Sequence, residues 1–454
     1  MVFNDYLTVS TKSLNRISAR VWQVCIGGLL LTAGGLMEGN AFAQAILPNP
    51  NNVLANPAPT QPLSTEWQQE QPNEMNVFQE AGAAAENPVP QIFRFGPVTL
   101  RPHGDYNVMY AHGILFDTND PENTIIQSIS PGLRFDIGRQ WALDYTPTFQ
   151  YYSNAKFRNV VNHAISLSGD AEYEAWVFGF SHGTTLTDDP TAATGSQTEQ
   201  NLHITTLTAT RALNEKFSTT LELNQNITLI SGSEDSYQWS TMDWLNYLVW
   251  PRCTVGIGIG GGYDMINADN SFSGNENLDQ SFENLEAQGS WRITDKISVQ
   301  ANVGFKYTQF NTAGTSDSLE PIFGAGIQYL PFKHTQLSLD ASRTVASSDY
   351  YIVSQQTEMT VVNASLTQQL FKKFSLGLSI GYAITDYNTA ISISSFSASA
   401  NRTDDDVMFS ARLSHPLFKR GTWAIFYQYS DNTSTEKAYS FTSNQVGLDI
   451  SYSF

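Results

Sequence analysis

Two cysteines in 454 residues exclude a disulfide scaffold and a cysteine-rich metal module. Charge is scarce as well: 15% of residues are Asp, Glu, Lys or Arg, against about 25% in an average soluble domain. The charge present leans to one sign, with 43 acidic residues against 24 basic ones and a net charge of −19. The basic surface that phosphate binding needs is therefore missing, and nucleic acid is excluded as a partner. Beyond Met37 no apolar run approaches the roughly 18–20 residues of a spanning helix, which rules out a helical membrane protein. A β-barrel stays open, because alternating strands barely raise mean hydropathy, here −0.25. Helical periodicity is missing too, with no 3.6-residue apolar stripe after Val98.

What the chain does contain begins with an address. Lys12, Arg16 and Arg20 form a positive start, Val24–Met37 an apolar core, and Ala41-Phe42-Ala43 a small-x-small cleavage site, so residues 1–43 read as a secretory signal peptide. Its removal takes Cys25 away and leaves Cys253 as the one cysteine, which forbids an internal disulfide. Loss of those three basic residues together with Asp5 and Glu38 moves the net charge from −19 to −20. Residues 44–97 carry Pro48, Pro50, Pro57, Pro59, Pro62, Pro72, Pro88 and Pro90 among Asn, Gln and Ala, without periodicity. They read as a disordered periplasmic linker, with a short helix at Glu74–Ala85 or a luminal plug as alternatives.

From Val98 the chain alternates with period two. Phe374, Leu376, Leu378, Ile380, Tyr382 and Ile384 interleave with Ser375, Gly377, Ser379, Gly381, Ala383 and Thr385. Ile297–Thr308, Phe217–Leu223 and Val446–Phe454 repeat the pattern. One face is apolar and the other rich in Ser, Thr, Asn, Gln and Gly, which calls for an apolar medium on one side only. Connections alternate between tight ones, such as Gly138-Arg139-Gln140, Asn214-Glu215-Lys216 and Phe371-Lys372-Lys373, and longer polar ones, such as Ile266–Asn277 and Asn388–Arg402. Short turns at one rim and long loops at the other are the mark of an outer-membrane barrel. The expected fold of residues 98–454 is thus all-β: a transmembrane up-and-down antiparallel β-barrel of about 18 strands, with 16 as the alternative. A soluble sandwich would bury its apolar face. It would not need the strand-end aromatics Trp141, Phe149, Tyr151, Trp176, Phe178, Phe180, Trp423, Tyr427 and Tyr429, which fall where interfacial girdles belong.

The last residues, Gln445 to Phe454, resemble the terminal-Phe signal that the barrel-assembly machinery reads, with Tyr452 and Phe454 as its aromatics. The preceding hairpin, Phe426-Tyr427-Gln428-Tyr429-Ser430-Asp431-Asn432 followed by Tyr439, Asn444, Val446 and Leu448, resembles a β-barrel porin family. Some members of that family are encoded with exopolysaccharide biosynthesis genes. Phe116-Asp117-Thr118-Asn119 is similar to the turn after that family's first strand. The resemblance spans Val98–Phe454 and implies an outer-membrane pore for polar solutes or exported polysaccharide. It brings no catalytic residues.

Other motifs weigh little. Gly256-Ile257-Gly258-Ile259-Gly260-Gly261 mimics a dinucleotide loop but lies inside alternation, so it reads as a strand whose glycines allow close approach within the lumen. Asp269–Gly274 has calcium-loop spacing but Gln280 where a closing Glu belongs. Asp404-Asp405-Asp406 ends a loop and offers either ligands for a divalent ion bridging headgroups or a solvated acidic stretch. The seven His are scattered without metal spacing. An enzyme would need His163 or His182 to meet Ser166 or Ser181. No catalytic, cofactor or metal residue is assigned. With apolar residues outward, Asp136, Asp144, Asp170, Glu222, Glu286, Asp340 and Asp449 face inward with Arg134, Arg292, Lys306 and Arg412, a lumen mildly favouring cations or neutral polar solutes. The functional expectation is a porin-like outer-membrane channel in contact with lipid. A structural or adhesive barrel with a plugged lumen is the alternative.

Overall fold

The computed structural model describes residues 93–114, 122–190, 197–231, 235–267, 279–311, 316–346, 356–371, 373–388 and 401–454. The signal peptide, the 44–92 part of the linker, the Asp269–Gly274 loop and Phe116–Asn119 lie outside them.

Among the described residues nineteen strands follow in chain order: β1 (Arg94–Phe95), β2 (Val98–His112), β3 (Asn123–Ile137), β4 (Trp141–Tyr152), β5 (Val160–Tyr173) and β6 (Trp176–Thr187). Next come β7 (Gln200–Ala212), β8 (Phe217–Ile230), β9 (Asp235–Trp250), β10 (Cys253–Asn267), β11 (Gln280–Thr294), β12 (Ile297–Phe310) and β13 (Ser318–Phe332). The last are β14 (Thr335–Ala346), β15 (Gln356–Leu370), β16 (Phe374–Asn388), β17 (Asn401–Leu417), β18 (Gly421–Ser434) and β19 (Phe441–Ser453). Each strand from β2 onward pairs antiparallel with its sequence neighbours. β19 then returns to β2, with Asn444 opposite His112 and Ser453 opposite His103. The closed barrel therefore has 18 strands, and closure removes the edges that would otherwise present unpaired backbone. β1 is a two-residue addition folded back on Val98 and Thr99 through Gly96, whose φ of 62° suits glycine.

Alternation sets the two faces. On β3, Ile125, Ile129, Leu133 and Ile137 are exposed outward, while Thr124, Ser128 and Ser130 between them are buried inside. Ile257 on β10 and Val303 on β12, 64% and 60% exposed, continue the outer apolar surface across the barrel. Such exposure would be a liability in water and is required in lipid. Aromatics ring the tight-turn rim: Trp141, Phe217, Trp250, Trp291, Phe332, Phe371, Phe418 and Tyr452 are all exposed. Tyr110, Tyr151, Trp239 and Tyr263 do the same toward the loop rim. An apolar belt between two aromatic rims on a closed barrel is the architecture of the Gram-negative-type outer membrane, and that is the chain's location.

Three local features depart from the alternation read in the sequence. β5 and β6 are joined at Glu174-Ala175, with Glu174 at φ 53°, although nothing in Asp170–Trp176 interrupts the pattern. Asp404–Asp406 lies within β17 rather than in a loop, because strands that project past the bilayer face water on both sides and lose their hydrophobic signal. Pro131 and Pro147 sit between the paired stretches Ile129–Phe149 and Leu133–Tyr145, where the ladder is interrupted. Ser130 and Thr148 bridge the gap by a 2.9 Å hydroxyl contact. A small buried apolar cluster of Ala111, Ile114, Ile126 and Phe157, with Met109 and Tyr152 against it, packs under the β4–β5 connection at the loop rim.

Candidate functional site: the luminal wall

The inner wall divides into two sectors of different chemistry. Around the closure seam, β17 to β19 and β2 to β4 interlock opposite charges. Arg101 Nε donates to Asp136 Oδ2 at 2.5 Å and Arg134 Nε to its Oδ1 at 2.8 Å. Arg134 stands opposite Asp144 in the β3–β4 ladder. His103 Nε2 lies 3.0 Å from Asp144 Oδ2, and Thr146 donates its hydroxyl to Oδ1 at 2.9 Å. Gly132 makes this possible: a Cβ there would fall 2.0 Å from the His103 ring, which lies flat on the strand. Arg412 on β17 reaches across β18 to pair with Asp449 on β19, and Asp105 faces Ser451 beside it.

Across the barrel, β8 to β12 are built differently. Gly256, Gly258, Gly260 and Gly262 occupy the luminal face of β10, and neighbouring side chains fill their places. A Cβ on Gly258 would lie 2.6 Å from Met242 and from the Trp244 ring, and one on Gly262 would lie 2.4 Å from the Phe282 ring. The strand's glycines therefore let large groups lie against the wall. Glu222 and Glu286 flank this surface. Asn224 donates to Glu222, and Asn302 Nδ2 donates to Glu286 at 3.1 Å. Neither carboxylate has a basic partner among the described residues.

The remaining charged positions named from the sequence occupy other stations of the same face. Lys306 is buried, donates to the Val345 carbonyl at 2.8 Å and lies 4.1 Å from the Phe282 ring centre. Arg292 stands opposite Ser298 near the turn rim, Asp170 opposite Gly179, and Asp340 between Gly326 and Asn363. Sequence reasoning passed over Arg101, Asp105, Glu172, Asp264, Glu320 and Arg402, and put Asp404 and Asp406 at a loop end, yet all of them share that face. Among the described strands it carries thirteen carboxylates against six Arg and Lys, a larger excess than the seven against four read from the sequence. Extending each strand's alternation to its polar ends would have found them. Asp264 is fully buried and accepts from the Ser236 hydroxyl at 2.8 Å. At the loop rim the Arg402 guanidinium sits 4.0 Å from Tyr387 and 3.9 Å from Tyr439, pairing with Asp404 at 2.9 Å.

The Ser/His combinations do not form. His163 and Ser166 are on opposite faces of β5, as His182 and Ser181 are on β6. His163 instead stacks on Tyr145, whose hydroxyl lies 3.0 Å from Nδ1, outside the barrel. Beyond the β6 end, burial pushes the Asp189 carboxyl up, against hydrogen bonds from Asn162 and Thr187 that favour its charged form. At the chain's end Phe454 N donates to the Pro102 carbonyl at 3.0 Å. Its ring packs on Phe93 and Tyr452 at 5.7 and 5.2 Å, with Arg420 5.2 Å away.

No protein-family model matches the chain, and no curated protein matches it. Among solved structures it is similar to Pseudomonas aeruginosa OccK2 (OpdF), at 9% identity and a TM-score of 0.43 over 78% of this chain and 98% of that one. It is also similar to Acinetobacter baumannii OccAB3, at 8% identity and a TM-score of 0.42 over 78% of this chain and 99% of that one. The siderophore receptor PirA of Pseudomonas aeruginosa matches at 7% identity and a TM-score of 0.42, covering 78% of this chain and 80% of that one. The 18-strand closure itself stands on the chain's own ladder pairing.

Proposed function

We propose that the chain is a porin-like channel that passes small polar solutes across the outer membrane with a preference for cations. The observation that carries this reading is the luminal face itself. It bears thirteen carboxylates against six Arg and Lys together with hydrogen-bonded Asn, Gln, Ser and Thr, a wall suited to water rather than to a packed core. Fixed charges of one sign raise the local concentration of counter-ions, and screening within about 10 Å at 0.1 M salt keeps that preference modest in a wide lumen. The signal peptide at residues 1–43 delivers the chain to the periplasm. The Tyr452 and Phe454 aromatics present it to the assembly machinery in this reading. Polysaccharide export belongs to the same reading as a choice of solute; genes for glycosyltransferases beside this one would favour it. Purified full-length protein in a planar bilayer is expected to give stepwise conductance, with K⁺ preferred over Cl⁻ and the preference sharpening as salt is diluted. A silent barrel would instead support a plugged structural or adhesive role, and an anion-preferring pore would refute the assignment of these carboxylates to conduction.

A further inference from the structure

The outer apolar belt is broken over one stretch of wall. His182 lies six residues from the turn end of β6, Thr205 seven from that of β7, Gln225 eight from that of β8 and Asp243 seven from that of β9. At about 3.3 Å per residue and a tilt near 40°, these stations lie on the order of 15–20 Å above the turn rim, inside a belt roughly 25 Å tall. Their outward direction follows from the ladders. Gln225 stands opposite Trp239, and Asp243 stands between Leu221 and Ile259, all exposed on the outer face. At the same height elsewhere the outer face holds Ile129, Ile259, Ile380 and Phe409. The polar groups are joined to one another: His182 Nδ1 lies 2.9 Å from the Thr205 hydroxyl, which donates to Gln225 at 3.3 Å, and His182 Nε2 lies 3.1 Å from the Thr184 hydroxyl, itself 3.0 Å from Nδ1 of His203 on the outer face of β7. Asp243 accepts only a 3.4 Å contact from Thr241 among the described residues.

We infer that β6 to β9 form the face by which two copies of this chain pack side by side in the membrane. A carboxylate and imidazoles turned to hydrocarbon are expensive unless another polar surface covers them. The arrangement names its own cover. A two-fold axis along the membrane normal, passing the outer wall between β7 and β8, reverses left and right without changing height. It therefore sets the imidazole side of one copy, on β6 and β7, against the carboxylate side of the other, on β9. Such an isologous contact brings each Asp243 to the donors it lacks in its own chain. Just toward the turn rim, a groove of about 460 Å³ lined by Ala171, Phe178, Ala209 and Leu221 lets the two walls approach closely.

Site-specific cross-linking in intact outer membranes tests this. With Cys253 replaced by Ser, Leu223→Cys on β8, beside the axis, is expected to give an oxidised species of about twice the mass of the mature chain. Val303→Cys, equally exposed on β12, should give several-fold less. In mild detergent or nanodiscs the full chain should run as a dimer, and the paired change Asp243→Leu with His182→Leu should return it to a monomer that still shifts on heating in gels. Equal cross-linking at the two sites would overturn the inference. So would a monomer that carries a phospholipid displaced by the Ala209→Phe change, since an acyl chain would then be the groove's occupant.

Discussion

The seam and the far wall of the lumen use their charged groups in opposite ways. At the seam Arg412 grips Asp449, Arg101 and Arg134 converge on Asp136, and His103 meets Asp144. Most of these charges are answered by another on the same side of the junction, within β2 to β4 or within β17 to β19, so they brace each end of the barrel against its own neighbours. On the far wall Glu222 and Glu286 are answered by amides, which orient a carboxylate without cancelling it. Their charge is left to act on whatever passes. Charge pairing thus braces neighbouring strands in one sector, and in the other the carboxylate charge stays uncancelled on the inner face.

Breaking the seam should have the largest effect on folding. Arg412→Met leaves Asp449, 4% exposed, without its partner and is expected to cost about 3–5 kcal/mol. A lower midpoint for heat- or urea-induced unfolding in lipid vesicles would show it. Adding Asp449→Leu should recover most of the loss, because removing both charges spares the desolvation. A pair that can be dismantled singly without effect would end the distinction between the sectors.

The next largest effect should come from the glycine row. Gly258→Val places a branched side chain where Met242 and Trp244 already lie, at a cost of about 1–3 kcal/mol, and pushes them toward the lumen. Single-channel conductance should fall while Gly183→Ala, which meets open space, leaves it unchanged.

Smallest for stability, yet most telling for function, is the double change Glu222→Gln with Glu286→Gln. Both amides keep a hydrogen-bonding oxygen and spare the buried Glu222 the desolvation of a charge, so unfolding should move by no more than about 1 kcal/mol. The reversal potential in a KCl gradient should nonetheless shift toward zero. An unchanged reversal potential would place the selectivity elsewhere on the wall.

Much of this was written in local sequence. Period-two alternation needs only adjacent residues, and it specifies strands, their two faces and the lipid-facing side. Turn chemistry at Gly138, Asn214 and Pro251 divided the chain into hairpins, and the count of 18 followed. The local signal thins where strands leave the bilayer, since water on both faces erases the contrast, and Asp404 and Asp406 read there as the end of a loop. It also missed the turn at Glu174, which carries no glycine, proline or asparagine. The partnership of charges was beyond it altogether. Arg101 and Asp136 are 35 residues apart, Arg412 and Asp449 37, and His103 and Asp144 41. Which of them meet depends on how each strand is registered against its neighbours. Alternation alone could say that a carboxylate faces inward. Only the folded wall decided whether an arginine or an amide would be waiting there, because side chains such as Arg412 and Asp449 meet across an intervening strand that brings them to one height.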